Sequence, residues 1–448
     1  MARDVTQRVF ALLVLMGLMW VVRSYEAVAG SAPGGTALAL GFLLLAAFLG
    51  GQVASLAGLS RITGYILVGL LVGPGALGLL RHVDVERLRL LDEVAIALIA
   101  LTAGGELSLE RLRGMGRTLT SITLLGTFIL FALVAGAVFL LSPWLPFTAG
   151  RPLPLVLTVA VVFGSVAIAS SPSVAIAVIT DTRSRGPVAS TVLGVTVLKD
   201  VLVIVAFAAA LSVAYGVLEP EAAAGGGLGL DLALEIGGSL AVGGILGVGI
   251  AAYLEFVGRQ MVLFAVGVAW LAAELAAALH LEVLLLALTA GFTLENLVPV
   301  AGHRFVESLE AASLPLYALF FSLAGAAVHL GALADLWMWA LLLIAVRAFG
   351  LWAGTGLGAR LATAPESVVR WTWLGFISQA GVALGMVTIL ARAFPTWGEE
   401  LRTLFVAMVA VHEVVGPVAL QWALERSGEA GRDEEVGKEG EEAAAETA

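Results

Sequence analysis

The stretch GPVASTVLGVTVLKDVLVIVAFAAALS, residues 186–212, is apolar throughout except for one adjacent pair of charges near its middle, Lys199 and Asp200. A helix of about 20 apolar residues spans the ~30 Å hydrocarbon core of a bilayer. An ionisable side chain at that depth costs at least ~2.5 kcal/mol on insertion scales, so it marks a functional site by default. The pair points to ion transport by a membrane-embedded helix.

Similar runs recur from end to end. Of the 448 residues 60% are hydrophobic and 13% charged, which excludes a soluble globular domain. About 14 hydrophobic segments follow: 9–22, 36–58, 62–80, 92–107, 117–141, 154–180, 187–214, 235–256, 261–279, 281–297, 313–331, 336–359, 371–391 and 402–424. The fold class is therefore an all-α polytopic membrane protein of about 13 to 14 transmembrane helices. Its 53 glycines suit helices that pack backbone against backbone in lipid. The absence of cysteine removes disulfides, thiolate metal sites and thiol catalysis.

Three regions are expected: 1–35, an extra amino-terminal membrane helix; 36–424, the membrane domain; and 425–448, an acidic tail too polar to fold. The first segment reads as an anchor, although Arg3, Arg8 and Ala27-Val28-Ala29 also fit a signal peptide. The cluster Arg111, Arg113 and Arg117, with Arg183 and Arg185, lies on the side of both termini. The positive-inside rule then makes both termini cytoplasmic in a cell membrane, inner or plasma. The loop holding Arg81, Arg87 and Arg89 falls outside, accompanied by Asp84, Glu86, Asp92 and Glu93.

Two segments look interrupted. Ser170-Ser171-Pro172-Ser173 sits inside 154–180, and Pro172 removes a backbone donor and clashes with the preceding turn. Ser378-Gln379-Ala380-Gly381 sits inside 371–391 and is also polar and glycine-bearing. Paired broken helices in corresponding halves are a sequence pointer to a transporter site. Such backbone is tolerated at membrane depth only against protein or a watery cavity.

Read in order, several motifs resemble those of the Kef and Nap type of monovalent cation:proton antiporters. They are Leu59-Ser60-Arg61-Ile62-Thr63-Gly64-Tyr65-Ile66-Leu67-Val68-Gly69 with Gly73-Pro74, Leu101-Thr102-Ala103-Gly104-Gly105-Glu106 with Glu110-Arg111-Leu112, and Ser170 to Ser173. Lys199-Asp200-Val201, Leu319-Phe320-Phe321-Ser322-Leu323-Ala324-Gly325, Arg347 and Ser378 to Gly381 complete the series, over roughly residues 36 to 424. The resemblance implies inverted repeats with two crossed broken helices, a dimerisation and a core subdomain, a homodimer and an elevator motion of the core. It also implies that Asp200 binds cation and proton in competition, with Arg347 nearby. Where that family usually has Asp, Asn or Gln before the aspartate, this chain has Lys199.

A hard monovalent cation needs oxygen ligands, and the candidates are Asp200, Ser171, Ser173 and Thr196, the last one helical turn before Asp200. Lys199 and Arg347 are expected as countercharges to Glu413 and Glu106, with Glu274 a further partner for Lys199. A second reading has Lys199 itself releasing a proton in the cycle. Ser170, Pro172, Ser378, Gln379 and Gly381 form the broken-helix backbone. The expected cargo is sodium, or potassium, against protons, with no cofactor, no nucleic acid and no enzymatic activity. Rival readings are an anion transporter of the same fold and a non-transporting sensor or scaffold.

Other motifs are weaker. His412-Glu413 starts a zinc-protease pattern, but position 416 is Gly where the second His belongs. His280, Glu282, His303 and His329 read as interfacial, and 298–312 as a charged connector between the halves. No phosphate-binding loop or carboxyl-terminal nucleotide-binding domain is read from the sequence.

Overall fold

A computed structural model of the chain describes residues 2–29, 35–88, 90–105, 109–218, 228–257, 260–328, 330–379 and 381–431. In these, regular structure is helical: α1 Ala2–Ala29, α2 Gly35–Leu56, α3 Arg61–Val72, α4 His82–Leu88, α5 Leu90–Gly105, α6 Leu109–Leu141, α7 Leu153–Ala167, α8 Pro172–Asp181 and α9 Pro187–Leu218. The second half adds α10 Leu228–Phe256, α11 Met261–Leu279, α12 Val283–Leu297, α13 Pro299–Ala326, α14 Leu330–Leu361 and α15 Glu366–Trp371. A 3₁₀ helix Thr372–Phe376, α16 Gly381–Ala393 and α17 Pro395–Arg426 complete it. Nine helices among the described residues are long and apolar enough to cross a membrane, with five shorter apolar ones beside them. Their outward side chains, such as Phe128, Leu140, Ile245 and Phe349, are large and apolar. The chain is a multi-pass membrane protein.

Two compact units result, Met1–Gly114 with Leu230–Leu330, and Met115–Gly229 with Gly331–Ala448. In the first, two antiparallel helix pairs repeat one contact. On α3 and α13 a Cβ at Gly69 would fall 1.9 Å from the Ser322 carbonyl oxygen, and one at Gly325 would fall 2.2 Å from that of Ile66. On α5 and α12 the same relation joins Gly104 to Leu288 and Gly291 to Leu101, each at 2.1 Å. No residue with a side chain fits there, so glycine brings backbone onto backbone. The same close contact thus joins two pairs of early and late helices.

Met16 and Met19 of α1 join an apolar cluster with Phe42 and Leu43 of α2 and Leu319 and Leu323 of α13, and α1 packs along α2. Arg23 of α1 donates to Asp84 of α4 at 2.6 Å and to the Leu79 carbonyl at 3.2 Å. Burial raises the Asp84 carboxyl, but hydrogen bonds from Arg81 and the charges of Arg23 and Arg81 outweigh it, holding it below its ordinary value.

Three expectations are corrected. Residues 298–312 are no connector: α13 starts at Pro299, a favoured first helical position, and runs unbroken to Ala326. Phe305 and Leu309, one turn apart, are fully buried, which gives that charged stretch an apolar face. The segment 62–80 is helical only to Val72, since Gly73 adopts an extended conformation before Pro74. The tail does not begin at 425: α17 reaches Arg426 and Glu429 is buried. The remaining tail, 432–448, lies outside the described residues.

Candidate functional site

Everything at the site belongs to the second unit. α7 ends at Ala167 and α8 opens at Pro172, whose missing N–H is no loss in a first turn. Ser171 is the cap, its Oγ accepting the Val174 N–H at 3.4 Å. The second interruption follows the 3₁₀ helix, over residues 377–379, before α16 opens at Gly381. The breaks meet directly, the Ser171 N–H donating to the Ser378 carbonyl at 2.8 Å. α17 closes on the junction at Gly416, where a Cβ would lie 1.9 Å from Ser378 Oγ.

Interrupting two helices strands their terminal carbonyls, which cannot stay unsatisfied away from water. Arg347 of α14, fully buried, meets them from one side chain. Its Nε donates to Ala167 O at 3.0 Å, Nη2 to Ala169 O at 2.8 Å and Phe376 O at 3.0 Å, and Nη1 to Ile377 O at 2.8 Å. Each helix carboxyl end carries roughly half a negative charge, so one guanidinium balances both. Lysine lacks the planar fork of donors that this needs.

Lys199 and Asp200 enter on α9, which packs along α7, α8 and the 3₁₀ helix. Lys199 is 3% exposed. Its Nζ donates to Ser170 Oγ at 3.0 Å and sits 5.0 Å from the centre of the Phe376 ring. Ser170 Oγ in turn donates to Phe376 O at 3.1 Å, the carbonyl that Arg347 also holds. Two basic side chains are thus joined through one hydroxyl and one carbonyl. Asp200, the next residue, is half-buried, with its Oδ1 inward.

The other expected residues divide as follows. Ser171 and Ser173 are buried and hydrogen-bonded to each other at 3.1 Å. Thr196 is buried on α9 and donates to the Val192 carbonyl. Gln379, wholly buried at the second break, reaches the Ala167 carbonyl at 3.5 Å and leaves its Oε1 without a hydrogen bond. Gly381 opens α16.

Among the described residues, the expected pairing of Lys199 with Glu413 is not the one formed. Lys199 takes Ser170 and Phe376 rather than Glu413, because the first break lies within its reach. Glu413 is buried on α17, one turn before Gly416, and Glu274 is exposed. Arg347 spends its donors on carbonyls, and Glu106 lies outside the described residues, as does His329. His280 ends α11 in a left-handed conformation, and Glu282 caps α12 through the Leu285 N–H.

Sequence reasoning missed what Arg347 holds, since its partners lie 180 and 30 residues away and are backbone atoms. It also missed Phe376, and His412, which is buried with no hydrogen bond on its Nδ1.

Two interrupted helices crossing at their breaks, with ionisable side chains gathered at the junction, define a secondary transporter. The pattern of the family described as "Sodium/hydrogen exchanger, transmembrane" matches residues 43–426, and the chain belongs to that family. It is thus a cation:proton antiporter by family. Its fold is similar to that of the sodium proton antiporter MjNhaP1 from Methanocaldococcus jannaschii at pH 8, with a TM-score of 0.62 and 18% identity, over 87% of this chain and 95% of that one. A structure from a three-dimensional EM map of the same antiporter gives a TM-score of 0.60 and 18% identity, over 87% and 94% of the two chains. No curated protein sequence matches.

Proposed function

We propose that the chain exchanges sodium for protons at Asp200, by alternating access of the elevator type. The observation that carries this reading is the division of labour at the junction. Arg347 is fully engaged with four carbonyls and Lys199 with Ser170, so both positive charges serve to hold the breaks. Asp200 differs in being half-buried beside them. A carboxylate in that position supplies charge to a partly dehydrated cation, while hydroxyl lone pairs and carbonyls replace water.

Release follows from competition. A proton on the carboxylate removes the charge that holds the cation, and a cation on it excludes the proton. With Asp200 as the one exchanging group, the exchange is one proton per sodium and electroneutral. The gathering of site residues into one compact unit supports carriage of the site by motion of that unit as a body. Potassium as a second cargo and a homodimeric assembly rest on the family resemblance, and the cytoplasmic placing of both termini on the positive-inside pattern.

The test is proton flux in proteoliposomes on addition of sodium, potassium, lithium or chloride, for the wild type and Asp200→Asn. Sodium-dependent proton movement that vanishes in Asp200→Asn supports the reading. A flux driven by chloride instead would replace it with anion transport on the same fold, and persistent exchange in Asp200→Asn would move the site elsewhere.

A further inference from the structure

Apart from Lys199, Asp200 and a few hydroxyls, the helix that carries Asp200 is apolar on every side. A helix with no polar stripe has little in its side-chain pattern to set its rotation or height among apolar neighbours. Its register must come from polar anchors. One is the bond from Lys199 to Ser170.

A second anchor lies at the other end, in sequence that composition alone assigns to a tail. Beyond α17 the chain turns at Gly428, with φ of +72°, and folds back onto the connection between α8 and α9. Glu429 is 2% exposed there. Its Oε1 accepts the Val188 N–H at 2.8 Å and its Oε2 the Ala189 N–H at 2.9 Å. Its own carbonyl accepts the Arg185 N–H at 3.1 Å, and the Gly431 N–H donates to Thr182 O at 3.0 Å.

One carboxylate therefore satisfies two of the amides stranded in the first turn of α9 and sets a negative charge at that helix's positive end. The fit admits no side chain at Gly186, where a Cβ would lie 2.3 Å from the Glu429 carboxyl carbon. The clamp also ties together three elements of the junction. Ser171 opens α8, Asp200 rides on α9, and α17 packs on Ser378 through Gly416.

We infer that Glu429 is a positioning residue of the exchange site, fixing the height and rotation of α9 and so where Asp200 stands against the two breaks. The inference rests on Asp200 being the exchanging carboxylate. From Val188 to Asp200 is about 18 Å at 1.5 Å per residue, a little over three turns, and a continuous helix transmits a shift of its first turn over that length.

The test compares Glu429→Ala, Gly186→Ala and their combination with the wild type in proteoliposomes. Each single variant raises the sodium concentration for half-maximal proton flux by roughly three- to tenfold, the span seen for residues coupled to a site without touching ligand. Maximal flux stays within about twofold, the split that separates positioning for binding from loss of the transport step. The double variant is no worse than the more severe single one, because both break the same clamp.

Amide hydrogen exchange of a peptide covering residues 187–195 gives a readout that needs no transport, and it quickens in each variant. If Glu429→Ala fails to fold, Glu429→Gln, which keeps one acceptor oxygen, carries the same test with a smaller shift. Unchanged half-saturation in folded variants overturns the inference, as does a double variant whose effect is the product of the singles. A wild type without sodium-dependent flux counts against the antiport reading alone. In that case unchanged amide exchange at 187–195 overturns the clamp, and faster exchange upholds it.

Discussion

The two units bring helices together by opposite means. In the first, Gly69, Gly325, Gly104 and Gly291 let unbroken helices press backbone onto backbone. In the second, the helices are broken and a side chain, Arg347, closes the gap by holding four carbonyls. Their buried charges follow the same division among the described residues. Asp84 stands alone in the first unit, against Lys199, Arg347, Glu413 and Glu429 in the second. Glycine contacts are electrically silent and need no charged partner. Interrupted helices need charge to hold them, and the same charge equips that unit to handle an ion.

The sharpest way to break this comparison is at Asp200. Asp200→Asn should reduce sodium-driven proton flux to the level of empty liposomes while its melting temperature in detergent stays near that of the wild type. Arg347 comes next. Arg347→Ala takes a donor from four carbonyls, of which Phe376 keeps the Ser170 hydroxyl, and should destabilise the protein by at least about 3 kcal/mol, at 1–3 kcal/mol per stranded buried group, read as a lowered melting temperature with loss of flux.

The corresponding change in the first unit is Gly104→Ala, which drives a methyl into the Leu288 carbonyl. Overpacking of that kind costs about 1–3 kcal/mol. The expected outcome is a lower melting temperature with unaltered half-saturating sodium in the protein that folds. A changed sodium dependence there would dissolve the distinction between the units. Lys199→Gln sharpens it within the second unit. If Lys199 only holds the first break, exchange weakens but remains insensitive to membrane voltage. A voltage-dependent wild type that becomes insensitive in Lys199→Gln would instead make the lysine a participant.

The smallest effect is expected at Asp84, outside the membrane helices. A carboxyl held below its unfolded value adds stability above that value and loses it as pH falls through the folded one. Protease release of α1 should therefore be flat from pH 8 to about pH 5 and rise below about pH 4, the ordinary range of an aspartate.

Most of the fold is legible along the chain because membrane helices declare themselves by length and hydropathy, and both breaks by Pro172, Gly381 and the serines beside them. The site is legible only where its chemistry is local. Lys199 and Asp200 stand out because a charge inside an apolar run is costly to bury. Arg347 is visible as a charge, but its partners are carbonyls, which no sequence pattern marks. Glu429 is hidden by its neighbours: one carboxylate among many in an acidic stretch looks solvated until the fold brings two free amides to it. In 298–312 the charged letters of the sequence draw attention away from the apolar pair Phe305 and Leu309.

The carbonyl of Phe376 receives both Arg347 and, through Ser170, Lys199. A shared acceptor makes the two attachments interdependent, since a shift of that one oxygen weakens both at once. The junction should therefore behave as a keystone. When it gives way it does so in one cooperative step rather than by gradual fraying.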